Sequence, residues 1–208
     1  MNPNVGLFLH EQALRNPHRN GIIDAGRDEL NVSYGELDRQ AARVASSLRR
    51  RGLGIGDRVA ICTANGLDFV AAWFGAIYAG CATLPISATS PPREVAFRLD
   101  HARCGALLSD AERLAVSNEA LERSALSPAL LSVEEAIADA PSESCPAELD
   151  DGAFAMLLYT SGTTGAAKCA CITHGSLNAH TRALVGDTIR LSEADRVLGT
   201  LPLTHSYG

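Results

Sequence analysis

The chain has 208 residues, 46% of them hydrophobic and 20% charged. That is enough for one or two domains with a sizeable core, and it is not the composition of a disordered chain. A net charge of −6 argues against nucleic acid as a main partner.

Residues 1–10 show no basic segment followed by an apolar core, so no secretory signal is visible. No apolar run approaches the roughly 18–20 residues that span a bilayer. The six cysteines (62, 81, 104, 145, 169 and 171) lack metal-type C-x2-C pairs. A cytoplasmic protein with reduced thiols is the expectation.

In chain order, Val5–Ala13 predicts a short amphipathic helix ended by Pro17, and Gly21–Asp24 a strand. Ser33 followed by Glu36 is a capping box, with Val32 and Leu37 placed as a hydrophobic staple. Leu37, Ala41, Val44, Ala45 and Leu48 then share one helical face. Arg49, Arg50 and Arg51 favour the negative end of that helix, and Gly52 stops it.

Asp57–Cys62 reads as a strand and Asn65-Gly66 as a turn. Leu67, Val70, Trp73, Phe74 and Ile77 form the apolar face of a helix closed by Gly80, with the aromatic residues read as core packing. Cys81–Ile86 is the next strand. Ser90 before Pro91 reads as a cap with proline at the first helical position, and Val95, Leu99 and Ala102 as the buried face that follows. Gly105–Leu108 is a fourth strand. Strand, helix, strand, helix, strand predicts an α/β fold with a largely parallel sheet flanked by helices. Asp110–Arg123 reads as a helix, and 124–152 as a loop-rich connection with a short helix around Glu134–Ala138.

The chemistry gathers between Ala153 and Leu177. Ala153–Leu158 is a short apolar run that reads as a buried strand. Thr160–Ala167 is made only of Thr, Ser, Gly and Ala, and Lys168 follows. Gly162 and Gly165 permit close backbone approach to a ligand, Ser161, Thr163 and Thr164 add hydroxyl donors, and Lys168 adds a mobile positive charge. Loops of this kind cradle anions, most often phosphate; the alternative is a surface hairpin with no ligand. The pattern G-x-x-x-x-G-K-[ST] fails, because Ala167 stands at its second glycine and Cys169 follows the lysine. Cys169–Ile172 returns as a strand, and Thr173 caps a helix over His174–Val185. Cys169, Cys171 and His174 raise the possibility of a metal, but at atypical spacing.

YTSGTTGAAK at 159–168, followed by THGSL at 173–177, resembles the phosphate-loop signature of the adenylate-forming (acyl-CoA synthetase, AMP-binding) superfamily. The family usually has Pro where this chain has Ala167, and Gly where it has Cys169. VSYGELDRQAARVASSLRRRGLGIGDRVAI and FGAIYAGCATLPISATSP also resemble its N-terminal region. Ser87 and Ala88 after Leu-Pro-Ile, and GTTG rather than GSTG, resemble acyl- or aryl-CoA ligases more than peptide-synthetase adenylation domains.

The resemblance implies the N-terminal portion of the family's large domain over 1–208, with the C-terminal domain absent. It implies ATP held by Thr160, Ser161, Gly162, Thr163, Thr164, Gly165 and Lys168, Mg2+ at Thr164, and coenzyme A as second substrate. LPLTHSYG at 201–208 resembles the family's next motif and implies that His205 orients the reacting carboxylate. Read from the residues alone, a lone histidine beside a strand end is usually structural or solvated. Arg196–Thr200 is expected to be a strand. On this reading the chain is a fragment inactive alone; the alternative is a non-catalytic binding or regulatory module that pairs with a chain supplying the missing half.

Overall fold

A computed structural model describes residues 2–24, 30–138, 141, 145–160 and 168–205. Five parallel strands and one antiparallel strand form a six-stranded sheet in the order β6-β5-β3-β4-β7-β8. The strands are β3 (Arg58–Cys62), β4 (Ala82–Pro85), β5 (Ala106–Ser109), β6 (Ala129–Ser132), β7 (Phe154–Thr160) and β8 (Lys168–Thr173). A separate antiparallel pair, β1 (Asn20–Asp24) with β2 (Leu30–Ser33), lies outside it. The α/β class and the largely parallel sheet agree with the alternation read in the sequence.

The period of two along β3 sorts its side chains between two helical layers. Val59 and Ile61 join a cluster with α2 (Tyr34–Arg50), α3 (Leu67–Ala79) and α6 (Val133–Ala138). Ala60 and Cys62 join another with α4 (Pro92–Ala102) and Ala120 of α5 (Leu114–Arg123). Strands buried on both faces read as continuous apolar runs, as RVAIC and ALLS do.

α2 starts where its cap predicts: Ser33 Oγ accepts the Glu36 N–H at 3.2 Å. The Glu36 carboxylate itself turns to Arg39 and Gln40. At the other end Arg49 donates to the Tyr78 carbonyl at 2.6 Å and Arg51 to the Ser47 carbonyl at 3.1 Å. Arg51 thus binds a carbonyl in the last turn of its own helix, in keeping with the dipole reading, while Arg49 reaches one in the last turn of α3.

Several expectations are corrected. Ser90 is not the cap of α4: Pro91 occupies that position in extended geometry and the helix begins at Pro92. Proline cannot serve as a side-chain cap, so the fixed ring angle sets the start instead. Asp110–Arg123 is not one helix: Asp110 Oδ1 caps a single 3-10 turn over Ala111–Arg113, and α5 follows. The stretch 124–152 contains a strand, β6, paired in register with β5 at Leu107↔Leu130.

α7 (His174–Arg182) ends three residues early and passes into a π-helical turn at Ala183–Thr188. Arg196–Thr200 forms no strand. Val197 and Leu198 are 73% and 85% exposed, and no neighbouring strand among the described residues offers them a ladder.

Candidate functional site

β7 decides where the loop chemistry sits. It runs parallel to β4, so its carboxyl end lies at the same edge of the sheet as those of β3, β4 and β5. Open α/β sheets bind ligands outside that edge. β8 then returns antiparallel, pairing Tyr159 with Cys169 and Thr160 with Lys168. Thr160 and Lys168 are therefore opposite each other at the mouth of the loop, and Lys168 is exposed. Ser161, Gly162, Thr163, Thr164 and Gly165 lie outside the described residues.

Both faces of β7 are fixed. On the α4 side, the Tyr159 hydroxyl and His101 Nδ1 share a hydrogen bond of 2.6 Å, and the Arg98 guanidinium lies 5.2 Å from the Tyr159 ring centre. Burial pushes the Tyr159 phenol up to about 12, so it keeps its proton at neutral pH. On the α3 side the register shifts between Phe154 and Met156. This irregularity lets Ala155 and Met156 both serve the α3 face, while the Thr83 hydroxyl takes the Ala155 carbonyl at 3.0 Å.

The helix after the hairpin, α7, is tied to residues near the start of the chain. Thr173 Oγ1 accepts the Ser176 N–H at 3.1 Å, as its cap position predicts. His174 is fully buried, and its Nδ1 accepts the Val5 N–H at 3.1 Å. Its proton therefore sits on Nε2, which has no hydrogen-bond partner among the described residues. Burial lowers the His174 pKa to about 4, so the ring is neutral. Asn178 donates to the Pro3 carbonyl at 2.6 Å, and Asn4 Nδ2 reaches the Ile77 and Ala147 carbonyls. His174 is thus committed to packing and not to a metal, and no His/Cys/Asp/Glu cluster among the described residues could hold one.

Beside the hairpin lies an apolar cavity of about 310 Å3, lined by Phe69, Trp73 and Phe74 of α3, by Met156, and by Leu203 and His205. Phe69 is buried, whereas Trp73 and Phe74 are only partly buried. They do pack on the core, but they also form a cavity wall, which the core reading had not separated. His205 is at the rim and exposed. The structure therefore puts His205 against the cavity that Met156 of β7 also lines. A larger cleft of about 650 Å3 between residues 18–23 and 194–197 is polar and gathers none of the candidate site residues.

The buried thiols are not nucleophiles: burial raises Cys62 to about 11 and Cys104 to about 12. Asn65, which the sequence showed only as a turn residue, bonds the backbone of Leu201 and Leu203. Nothing in a local motif reveals a partner some 136 residues away.

The fold is an α/β sheet covered by helices on both faces, with a Gly/Thr-rich stretch and a lysine linking β7 to β8 in the sequence. More narrowly, the chain belongs to the AMP-binding enzyme family, which matches residues 9–208. It is similar to the AMB antimetabolite synthetase AmbB of Pseudomonas aeruginosa, 34% identical over 187 residues, covering 86% of this chain and 14% of that protein. It is also similar to the long-chain-fatty-acid–CoA ligase FadD13 of Mycobacterium tuberculosis, 29% identical over 213 residues, covering 97% of this chain and 41% of that one. Among solved structures, ATP-bound MatB from Rhodopseudomonas palustris superposes with a TM-score of 0.87 at 27% identity, over 100% of this chain and 42% of that one. The chain spans less than half the length of these relatives.

Proposed function

We propose that the protein supplies the phosphate-holding and carboxylate-facing part of an ATP-dependent carboxylate-activating enzyme, nearer to acyl- or aryl-CoA ligases than to peptide-synthetase adenylation domains. The observation that carries this is the β7–β8 hairpin, which sets Thr160 opposite Lys168 at the carboxyl edge of the sheet. An exposed cation and a loop of small hydroxyl residues fit an anionic triphosphate. The ATP in the superposable MatB structure and the family membership support the same ligand.

In the reaction, a carboxylate oxygen attacks the α-phosphorus of ATP. A C–O–P linkage forms and pyrophosphate leaves. The attack brings negative charge onto negative phosphate, so positioning and neutralisation dominate the barrier. Ser161, Thr163, Thr164 and Lys168 hold the β- and γ-phosphates, and Lys168 follows their charge. The Thr164 hydroxyl would hold Mg2+, which would supply further neutralisation. His205, at the cavity rim, orients the carboxylate while the apolar walls receive the acid's hydrocarbon part. A thiol, coenzyme A on this reading, then displaces AMP.

The domain reading follows: residues 1–208 are the N-terminal part of the adenylate-forming domain and do not turn over alone. Carboxylate-dependent exchange of pyrophosphate into ATP tests the proposal. Exchange by the protein together with the remainder of such a domain supports it; exchange that needs no carboxylate contradicts it. Acyl-CoA formation by the 208-residue chain alone would show that the inactivity is wrong.

A second reading, a binding module completed by another chain, draws on the apolar residues Ile189, Val197, Leu198 and Leu201, each more than half exposed. A stable hetero-complex that protects this stretch from proteolysis would favour it.

A further inference from the structure

We propose that Asn65 is a positioning residue: its carboxamide holds segment 201–203 against the carboxyl end of β3, so that His205 meets the apolar cavity. The role assigned to His205 rests on the functional reading above; the placement of the segment does not.

The geometry is a two-way clamp. Asn65 Nδ2 donates to the Leu201 carbonyl at 2.8 Å, and the Leu203 N–H donates to Asn65 Oδ1 at 3.0 Å. Residues 201–203 belong to no strand. One side chain thus does for them what a neighbouring strand does for a ladder. It must offer a donor and an acceptor on two separate atoms, which an amide does; an ionised carboxylate has no donor, and a hydroxyl carries both on one atom. The backbone partners also fix the amide's orientation, since a carbonyl needs the NH2 end and an N–H needs the oxygen.

Asn65 is itself held. The preceding Ala64 N–H donates to Asp110 Oδ2 at 2.8 Å, and Asp110 Oδ1 accepts the Arg113 N–H at 2.9 Å. Asp110 is buried at the carboxyl end of β5. Gly66 follows at φ +148, an angle that favours glycine, and opens α3. A buried carboxylate on one strand therefore fixes the turn after the next strand, and that turn fixes a segment far along the chain. Beyond the clamp, the His205 N–H donates to the Pro202 carbonyl at 3.0 Å, closing the turn that carries the imidazole. Leu203 packs on the core beside the clamp and lines the same cavity as Trp73 and His205.

Trp73 is the single tryptophan of the chain, so its fluorescence reports this cavity. With both hydrogen bonds lost, Asn65→Ala is expected to raise the acrylamide quenching constant of Trp73 about twofold, at unchanged far-ultraviolet circular dichroism. Asn65→Asp keeps the acceptor only and should fall between the two. A wild-type quenching constant in Asn65→Ala overturns the proposal. If that variant does not fold, Asn65→Asp decides it, by a raised constant or by one equal to wild type.

In pyrophosphate exchange by the complete enzyme, Asn65→Ala should lower kcat/KM for the carboxylate roughly tenfold and leave KM for ATP unchanged, with Asn65→Asp partly restoring it. Equal loss for both substrates would argue for a merely structural residue. If the wild-type enzyme catalyses no exchange, the functional reading fails, while the quenching series still tests the clamp.

Discussion

The sheet around β3, β4 and β5 and the stretch from Ala183 to His205 contain similar apolar residues but fold in opposite ways. In the first, RVAIC and ALLS have strand partners on both sides and helices on both faces, and their apolar side chains are buried. In the second, VLGT and LPL have no strand partner, and the chain is held by single side chains such as Asn65. An apolar run specifies a strand only where something else supplies its ladder and covers its faces. Substitutions should therefore cost much stability in the first region and little at the exposed apolar positions of the second.

The largest effect is expected at Leu99, fully buried between α4 and the sheet. Leu99→Ala should cost about 2–5 kcal/mol in urea unfolding. Gly75→Ala comes next. A Cβ there would meet Val44 Cβ at 2.4 Å and the Ala41 carbonyl at 3.1 Å, where α2 and α3 cross. Overpacking of this kind costs about 1–3 kcal/mol, so a stable Gly75→Ala variant would break the account of that helix pair.

His174 gives a pH dependence of defined sign. Its folded pKa is lowered from the ordinary 6.5 to about 4 by burial. The unfolded chain takes up the proton first, so stability falls as pH drops from 6.5 to about 4 and this contribution flattens below. His174→Gln should give a shallower loss of melting temperature over that window. An unchanged slope would assign the acid sensitivity to other groups. The smallest effect belongs to the exposed segment: Val197→Ser and Leu198→Ser should each change stability by less than about 0.5 kcal/mol. A larger change would mean that this stretch is covered after all.

The same contrast explains what the sequence showed. The cap at Ser33, the stop at Gly80 and the face of Leu37, Ala41, Val44 and Leu48 are local signals, and each appears where it was read. The β7–β8 hairpin was legible because two apolar runs flank a turn-rich loop. β2 was hidden behind the capping signal at Val32-Ser33, and β6 behind Pro128, since a four-residue strand carries little periodicity. At the site, Lys168 was named from its motif and lies at the loop mouth. Asn65 and the N-terminal ties to His174 depend on contacts between residues far apart in the chain, which no local pattern displays.

The most direct measurement is ATP affinity by titration calorimetry for the wild-type protein and Lys168→Ala. If Lys168 stands over the phosphates, losing its charge-assisted contact should weaken binding roughly tenfold or more. Equal affinity in the two proteins would contradict the assignment of the β7–β8 loop as a phosphate cradle.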